Sequence, residues 1–381
     1  MSKSPCVLLH DLGQSVWLDN INDGLLQSGD LARWVREGSV YGVTSNPTIF
    51  KNAIGGDKFS YPAEITRLAN AGKSPDEVFE ELAVRDISRT ADLLLDTYRK
   101  GSGRDGFVSI EVRPSHAQDT AATIEEARHY WGRLNRPNVF VKVPATPEGI
   151  PAIETLIAEG VNINVTLIFG RAQYVRVAEA YKRGLKRRVA SGASLAGLHS
   201  VASLFVSRLD TSVDKELDER AKAAATPKER ERFLNLRGAA AVANAFDVWE
   251  EYRAQFFTSD FDALRKAGAT PQWILWASTG TKNPAYSDVK YVEELAGPDS
   301  INTMPQETLQ AFLDHGRVPG DRMTPRVETA RKVRAAIQAA GVSIDAHVAK
   351  LLEEGVASFA KSFDEMMDVI RERSAALTHR R

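Results

Sequence analysis

One cysteine, Cys6, occurs in the 381 residues. A disulfide framework or a cysteine-rich metal site is therefore excluded within the chain, and no catalytic-cysteine signature surrounds Cys6. No apolar run approaches the ~18–20 residues of a membrane span. The stretch Val7-Leu8-Leu9 is too short for a signal-peptide core, so a cytoplasmic protein without membrane contact is expected. The net charge of −1 gives no basic surface for a nucleic acid. Seven histidines are present, but none has HExxH or paired ligand spacing, and neither a metal nor a cofactor is expected. No Ser/His/Asp signature of nucleophilic hydrolysis is visible. Gly101-Ser102-Gly103-Arg104-Asp105-Gly106 spells GxGxxG but precedes a strand, whereas a dinucleotide fingerprint must follow one. Asn164-Val165-Thr166 spells a glycosylation sequon inside an apolar strand, where it is expected to stay unmodified.

What the chain does have is alternation. Eight segments read as strands: 15–19, 40–45, 107–112, 138–143, 163–169, 200–206, 273–278 and 300–304. Most are near-continuous apolar runs, as strands buried on both faces of a parallel sheet should be. Amphipathic helical stretches separate them, including 75–100, 115–134, 147–159, 171–189 and 237–256. Ser115 and Thr324 are placed to cap helices, and Pro147 suits a first turn. Eight such units predict a single α/β domain over 1–381, a (β/α)₈ TIM-type barrel, with a doubly wound sheet as the alternative. A charged helical insertion is expected near 210–235. Two further helices near 326–375 should pack outside the barrel, and Thr378 to Arg381 should fray.

One residue breaks the apolar pattern conspicuously. Lys142 lies within Val139-Phe140-Val141-Lys142-Val143-Pro144, a segment that reads as a buried strand. A buried ammonium is costly, and a desolvated lysine amine is a nucleophile that can form an imine with a carbonyl. A lysine snorkelling from a strand end, or one held by a structural carboxylate, would give the same pattern. Other polar residues fall at the carboxyl ends of the predicted strands, where a barrel enzyme builds its site. They are Asp19, Asn46, Glu111, Asn164, Thr166, Ser203, Arg208 and Ser278. Asn164 and Thr166 are two apart and share one strand face. Taken singly, Asp19 or Asn46 could be a turn former or cap, and Arg208 could pair with the insertion. Together they have chemical logic. Carboxylates move protons for an amine, and amides and hydroxyls hold a polyhydroxylated substrate. Arg208 and Ser278, with the segment Ala277 to Lys282, suit a phosphate.

These segments resemble the transaldolase family. The resemblance is carried by VWLDNI (16–21), GVTSNPTIF (42–50), VSIEV (108–112), VFVKVPAT (139–146), NVTLIF (164–169), SLFVSR (203–208) and WASTGTKNP (276–284). It implies Schiff-base transfer of a dihydroxyacetone unit from sedoheptulose 7-phosphate to glyceraldehyde 3-phosphate in the pentose phosphate pathway. It further implies Lys142 as the imine-forming lysine, Asp19 as the acid/base for cleavage, and Glu111 with Thr166 positioning a catalytic water. Asn46, Asn164 and Ser203 would hold the three-carbon unit, and Arg208 and Ser278 would bind phosphate. Short-form members carry an arginine soon after the seventh-strand serine. Here the segment is longer and offers Lys282, which binds phosphate as a point charge without a bidentate fork. The resemblance leaves a fructose 6-phosphate aldolase and a catalytically silent sugar-phosphate-binding barrel as rivals. It also leaves both a monomer and a homodimer open.

Overall fold

The computed structural model describes residues 3–55 and 60–378. The eight strands are β1 (Gln14–Leu18), β2 (Gly42–Val43), β3 (Val108–Glu111), β4 (Val139–Pro144), β5 (Ile163–Ile168), β6 (Ser200–Phe205), β7 (Trp273–Ala277) and β8 (Ser300–Met304). All pair in parallel with their sequence neighbours, and β8 pairs with β1. The barrel therefore closes, which rules out the doubly wound alternative.

The expected strands are all present, but β2 is much shorter than the six residues anticipated. Its Gly42 stands in register with Trp17. A Cβ on Gly42 would lie 2.5 Å from Trp17 Cε2, so the indole occupies the space that a larger residue would need. Trp17 packs with Phe107 and Phe140, whose rings stack at 4.3 Å between centroids. Each of the three lies an even number of residues before a polar site position: Trp17 before Asp19, Phe107 before Glu111 and Phe140 before Lys142. The aromatic plug and the polar row therefore share the interior face, with the plug below.

The helix Pro75–Lys100 matches its expected bounds and opens with a reciprocal capping box between Ser74 and Glu77. Elsewhere the cap assignments need correction. Ser115 lies within a short 3₁₀ turn, Pro114–His116, and the helix that follows, Thr120–Leu134, is capped by Asp119. Thr324 opens another 3₁₀ turn, Thr324–Arg326, and the Asp321 carboxylate accepts from its backbone N–H. Pro147 lies in the turn leading into Gly149–Glu159, where Thr146 Oγ1 accepts from Gly149 N. In each case another side chain was better placed to take the orphan N–H groups.

The stretch near 210–235 forms Ser207–Ala223 and Pro227–Leu234. The first of these begins directly after β6, so Arg208 sits in a helical first turn and not on a strand. Its charges are only partly solvated. Asp210 is buried and accepts from Lys290, Tyr291 and Ala241 N. The two late helices are Val327–Ala339 and Ile344–Thr378. Val327–Ala339 packs outside the barrel, against Ala240–Phe256, as expected. The C-terminal helix Ile344–Thr378 does not. It crosses the rim at the carboxyl ends of the strands, joining the Pro47–Gly55 helix after β2 to β5 and the helix after β6. The expected fraying beyond Thr378 lies outside the described residues.

Candidate active site

Strand register assembles the site. Glu111, Lys142 and Asn164 are in-register partners across β3, β4 and β5, and Pro144 pairs with Thr166 one step further along. In-register neighbours on parallel strands point the same way, and strands lie about 4.8 Å apart. Three functional groups from distant parts of the chain are thus set side by side on the interior wall.

Lys142 is 4% exposed. Its Nζ donates to Ser45 O at 2.8 Å and lies 2.9 Å from Glu111 Oε2. Glu111 is the structural carboxylate that the sequence left open as an alternative partner, yet it also faces the interior with Lys142. Burial pushes the Glu111 carboxyl above its ordinary range, against the pull of Lys142. Asp19, at the end of β1, is held by Thr44, whose Oγ1 donates to Asp19 Oδ1 at 2.6 Å. Thr44 Oγ1 also meets Thr303 Oγ1 at 2.7 Å. Burial raises the Asp19 carboxyl as well, opposed first by the charge of Lys142 and then by the Thr44 hydrogen bond. Two buried carboxyl groups with raised pKa values, both under the influence of one amine, suit proton transfer in either direction.

Asn164 is fixed at both ends of its amide. Its Nδ2 donates to Ser109 Oγ at 3.1 Å, and Ser203 Oγ donates to its Oδ1 at 2.7 Å. Thr166 Oγ1 is buried and makes no protein hydrogen bond among the described residues, which leaves a hydroxyl free on the strand next to that of Lys142. A left-handed Leu167 (φ 58°) follows it, where the register between β5 and β6 shifts. Asn46 does cap a helix, accepting from Ile49 N at 3.0 Å through Oδ1. Its amide NH₂ remains a donor, so cap and ligand roles are compatible.

At the far side, Ser278 adopts φ 54°, and its Oγ lies 3.1 Å from Ser207 Oγ. Arg208, in the first turn of Ser207–Ala223, makes no ion pair among the described residues; the insertion does not neutralise it. A helix N-terminus, a guanidinium and two hydroxyls form an anion-suited corner. Lys282 stands apart. It is exposed and lines a polar cleft of about 360 Å³ with Asp214 and Asp218, though its charge still reaches Asp19. Asn162, which the alternation left as a possible extension of the Asn164 row, instead bonds the backbone of His199 and Pro137. A larger, mainly apolar cleft of about 770 Å³ flanks the C-terminal helix and contains none of the acid/base set.

The strand-end reading missed Ser109, Thr303 and Thr44. Period-two alternation would have found the first two, since Ser109 shares a face with Glu111 and Thr303 lies on a strand that carried no candidate.

The sequence model of the Transaldolase/Fructose-6-phosphate aldolase family matches residues 16–370. The chain belongs to this family. It is 46% identical over 362 residues to "Transaldolase 1" of Streptomyces coelicolor, covering 95% of this chain and 93% of that protein. It is 45% identical to the transaldolase of Thiobacillus denitrificans, covering 93% and 96% of the two chains. The transaldolase of Thermobifida fusca is 43% identical over 98% of this chain and its own full length. Similarity of this extent makes the chain a transferase of the transaldolase type, working by Schiff-base chemistry on the barrel described above.

Proposed function

We propose that this chain transfers a dihydroxyacetone unit from sedoheptulose 7-phosphate to glyceraldehyde 3-phosphate, through an imine on Lys142. The observation that carries the reading is a buried amine within 2.9 Å of one carboxylate and under the field of a second. The amine attacks the donor ketone, and water leaves as the imine forms, with Glu111 and a water held by Thr166 moving the protons. Asp19 takes the C4 hydroxyl proton as the C3–C4 bond breaks, and erythrose 4-phosphate departs. The enamine that remains attacks the acceptor aldehyde, Asp19 returns the proton to the new hydroxyl, and hydrolysis releases fructose 6-phosphate. Asn46, Asn164 and Ser203 hold the three-carbon unit, while Arg208, Ser278 and the outlying Lys282 attract the phosphate.

The chain acts as one unit over 1–381 and in the cytoplasm, with phosphorylated sugars as its partners. Among the described residues, no helix is long and apolar enough to cross a membrane. Sedimentation distinguishes a monomer from a homodimer. The deciding assay supplies fructose 6-phosphate with and without erythrose 4-phosphate. Turnover that requires the acceptor is expected. Free dihydroxyacetone released at a comparable rate without it would make the enzyme a simple aldolase.

A further inference from the structure

The C-terminal helix reaches the anion corner through Phe359. Phe359, 3% exposed, meets Phe205 with centroids 6.3 Å apart and planes inclined at 64°. Against the corner made by these two rings lies the Arg208 guanidinium, 5.2 Å from the Phe205 centroid and 5.9 Å from that of Phe359. No carboxylate among the described residues forms an ion pair with Arg208; Asp19 and Glu111 act on it only through their fields, and these two rings are its direct contacts. An arginine side chain has much rotamer freedom to lose when it binds an anion. A guanidinium already stacked on ring faces has lost part of that freedom before the anion arrives. The aromatic corner also leaves its N–H donors uncommitted, which an ion pair would not.

Phe359 is itself well anchored. Gly355, one turn earlier on the same face, packs on Leu167 and Phe169. One turn later Ser362 Oγ meets Thr48 Oγ1 at 3.0 Å, and Phe363 packs edge-on against Phe79 at 5.2 Å. Lys51 pairs with Glu365 at 2.6 Å. The ring is thus presented by a helix tied to both sides of the barrel mouth.

We infer that Phe359 is a positioning residue: with Phe205 it pre-orients Arg208 for the substrate phosphate, making the C-terminal helix part of phosphate recognition. The inference rests on Arg208 as the phosphate anchor. The test compares Phe359→Leu, Phe359→Tyr and Arg208→Ala. It measures kcat and KM with fructose 6-phosphate, kcat/KM with unphosphorylated dihydroxyacetone as donor, and the inhibition constant of inorganic phosphate. Phe359→Leu keeps apolar bulk but removes the ring face. It should raise KM for fructose 6-phosphate and the phosphate inhibition constant about three- to tenfold, with kcat and the dihydroxyacetone reaction little changed. Phe359→Tyr should restore both constants. Losses of equal size on both donors, or a phosphate inhibition constant that does not move, would overturn the inference. If Arg208→Ala raises the phosphate constants while Phe359→Leu leaves them alone, only the positioning role falls. If Arg208→Ala leaves them alone too, the anchor reading falls with it.

Discussion

Lys142 shows how a buried amine can be a stability cost that the proposed imine chemistry would explain. Its amine is removed from water and balanced by Glu111 and a backbone carbonyl, an arrangement in which losing a partner leaves an uncompensated charge. Borohydride added with fructose 6-phosphate should attach the three-carbon unit at Lys142, and peptide mapping reads the position. An adduct on Lys290, which is tied to Asp210 and Gly238 O, would contradict the assignment. Lys142→Arg should be inactive, since a guanidinium stays protonated. Asp19 couples function to stability with a definite sign. Its carboxyl pKa is raised in the folded state, so the proton-linked stability is full below the unfolded value near 4 and is lost as pH rises through the folded value. Above that folded value the fold holds an ionised group it disfavours. Asp19→Asn should slow carbon–carbon cleavage about 10²–10⁴-fold while leaving imine trapping intact. The same variant should gain stability over the parent in urea unfolding at alkaline pH, with the gain vanishing below about pH 4. Equal stability at both pH values would show that burial does not strain this carboxyl.

At the scale of elements, the short β2 and the long C-terminal helix matter most. β2 has only two residues, its Gly42 yields interior space to Trp17, and two residues beyond the strand Ser45 O accepts from Lys142. The C-terminal helix approaches β5 closely at Gly355, where a Cβ would lie 3.1 Å from Leu167 Cδ2 and 3.4 Å from Phe169. Gly355→Leu should overpack this contact, costing about 1–3 kcal/mol, and should lower kcat/KM for phosphorylated donors by tilting the helix that carries Phe359. Urea unfolding and steady-state kinetics on one preparation check both effects. Unchanged stability would mean that the helix is free to lift without penalty.

For the whole molecule, pH tolerance is governed by groups far from the chemistry as well as by those within it. His199 opens the segment leading into β6 and packs against Phe107 and Tyr98, with its Nδ1 buried and unpartnered among the described residues. Burial lowers its pKa from 6.5 to about 4. The unfolded chain thus binds the proton more readily, and stability is full above pH 6.5 and lost as pH falls toward 4. By proton linkage this preference is worth about 3 kcal/mol in all. His199→Leu should flatten the acid limb of the stability profile between those two pH values. An unchanged slope would place the titrating group elsewhere. Cys6, buried and with its thiol pushed up to about 12, should not react with thiol reagents in the folded state.

The sequence by itself determined the alternation of strand and helix, and with it the α/β class and the positions of the strand-end residues. These are local properties: period-two burial, apolar runs and polar interruptions can be read in one dimension. The same is true of Lys142, because a lysine inside an apolar strand is anomalous wherever the strand lies. Closure of the sheet was decided only in three dimensions, since no strand records that β8 will pair with β1. Tertiary structure also chose among roles that one residue type can fill. Asn46 became a cap that keeps a free amide NH₂, Asn162 a structural bridge, and Arg208 a helical residue resting on rings. Phe359 lies more than 150 positions from Arg208 in the chain. Nothing local marks it, because a phenylalanine on an amphipathic helix reads as core until the fold brings a guanidinium against its face.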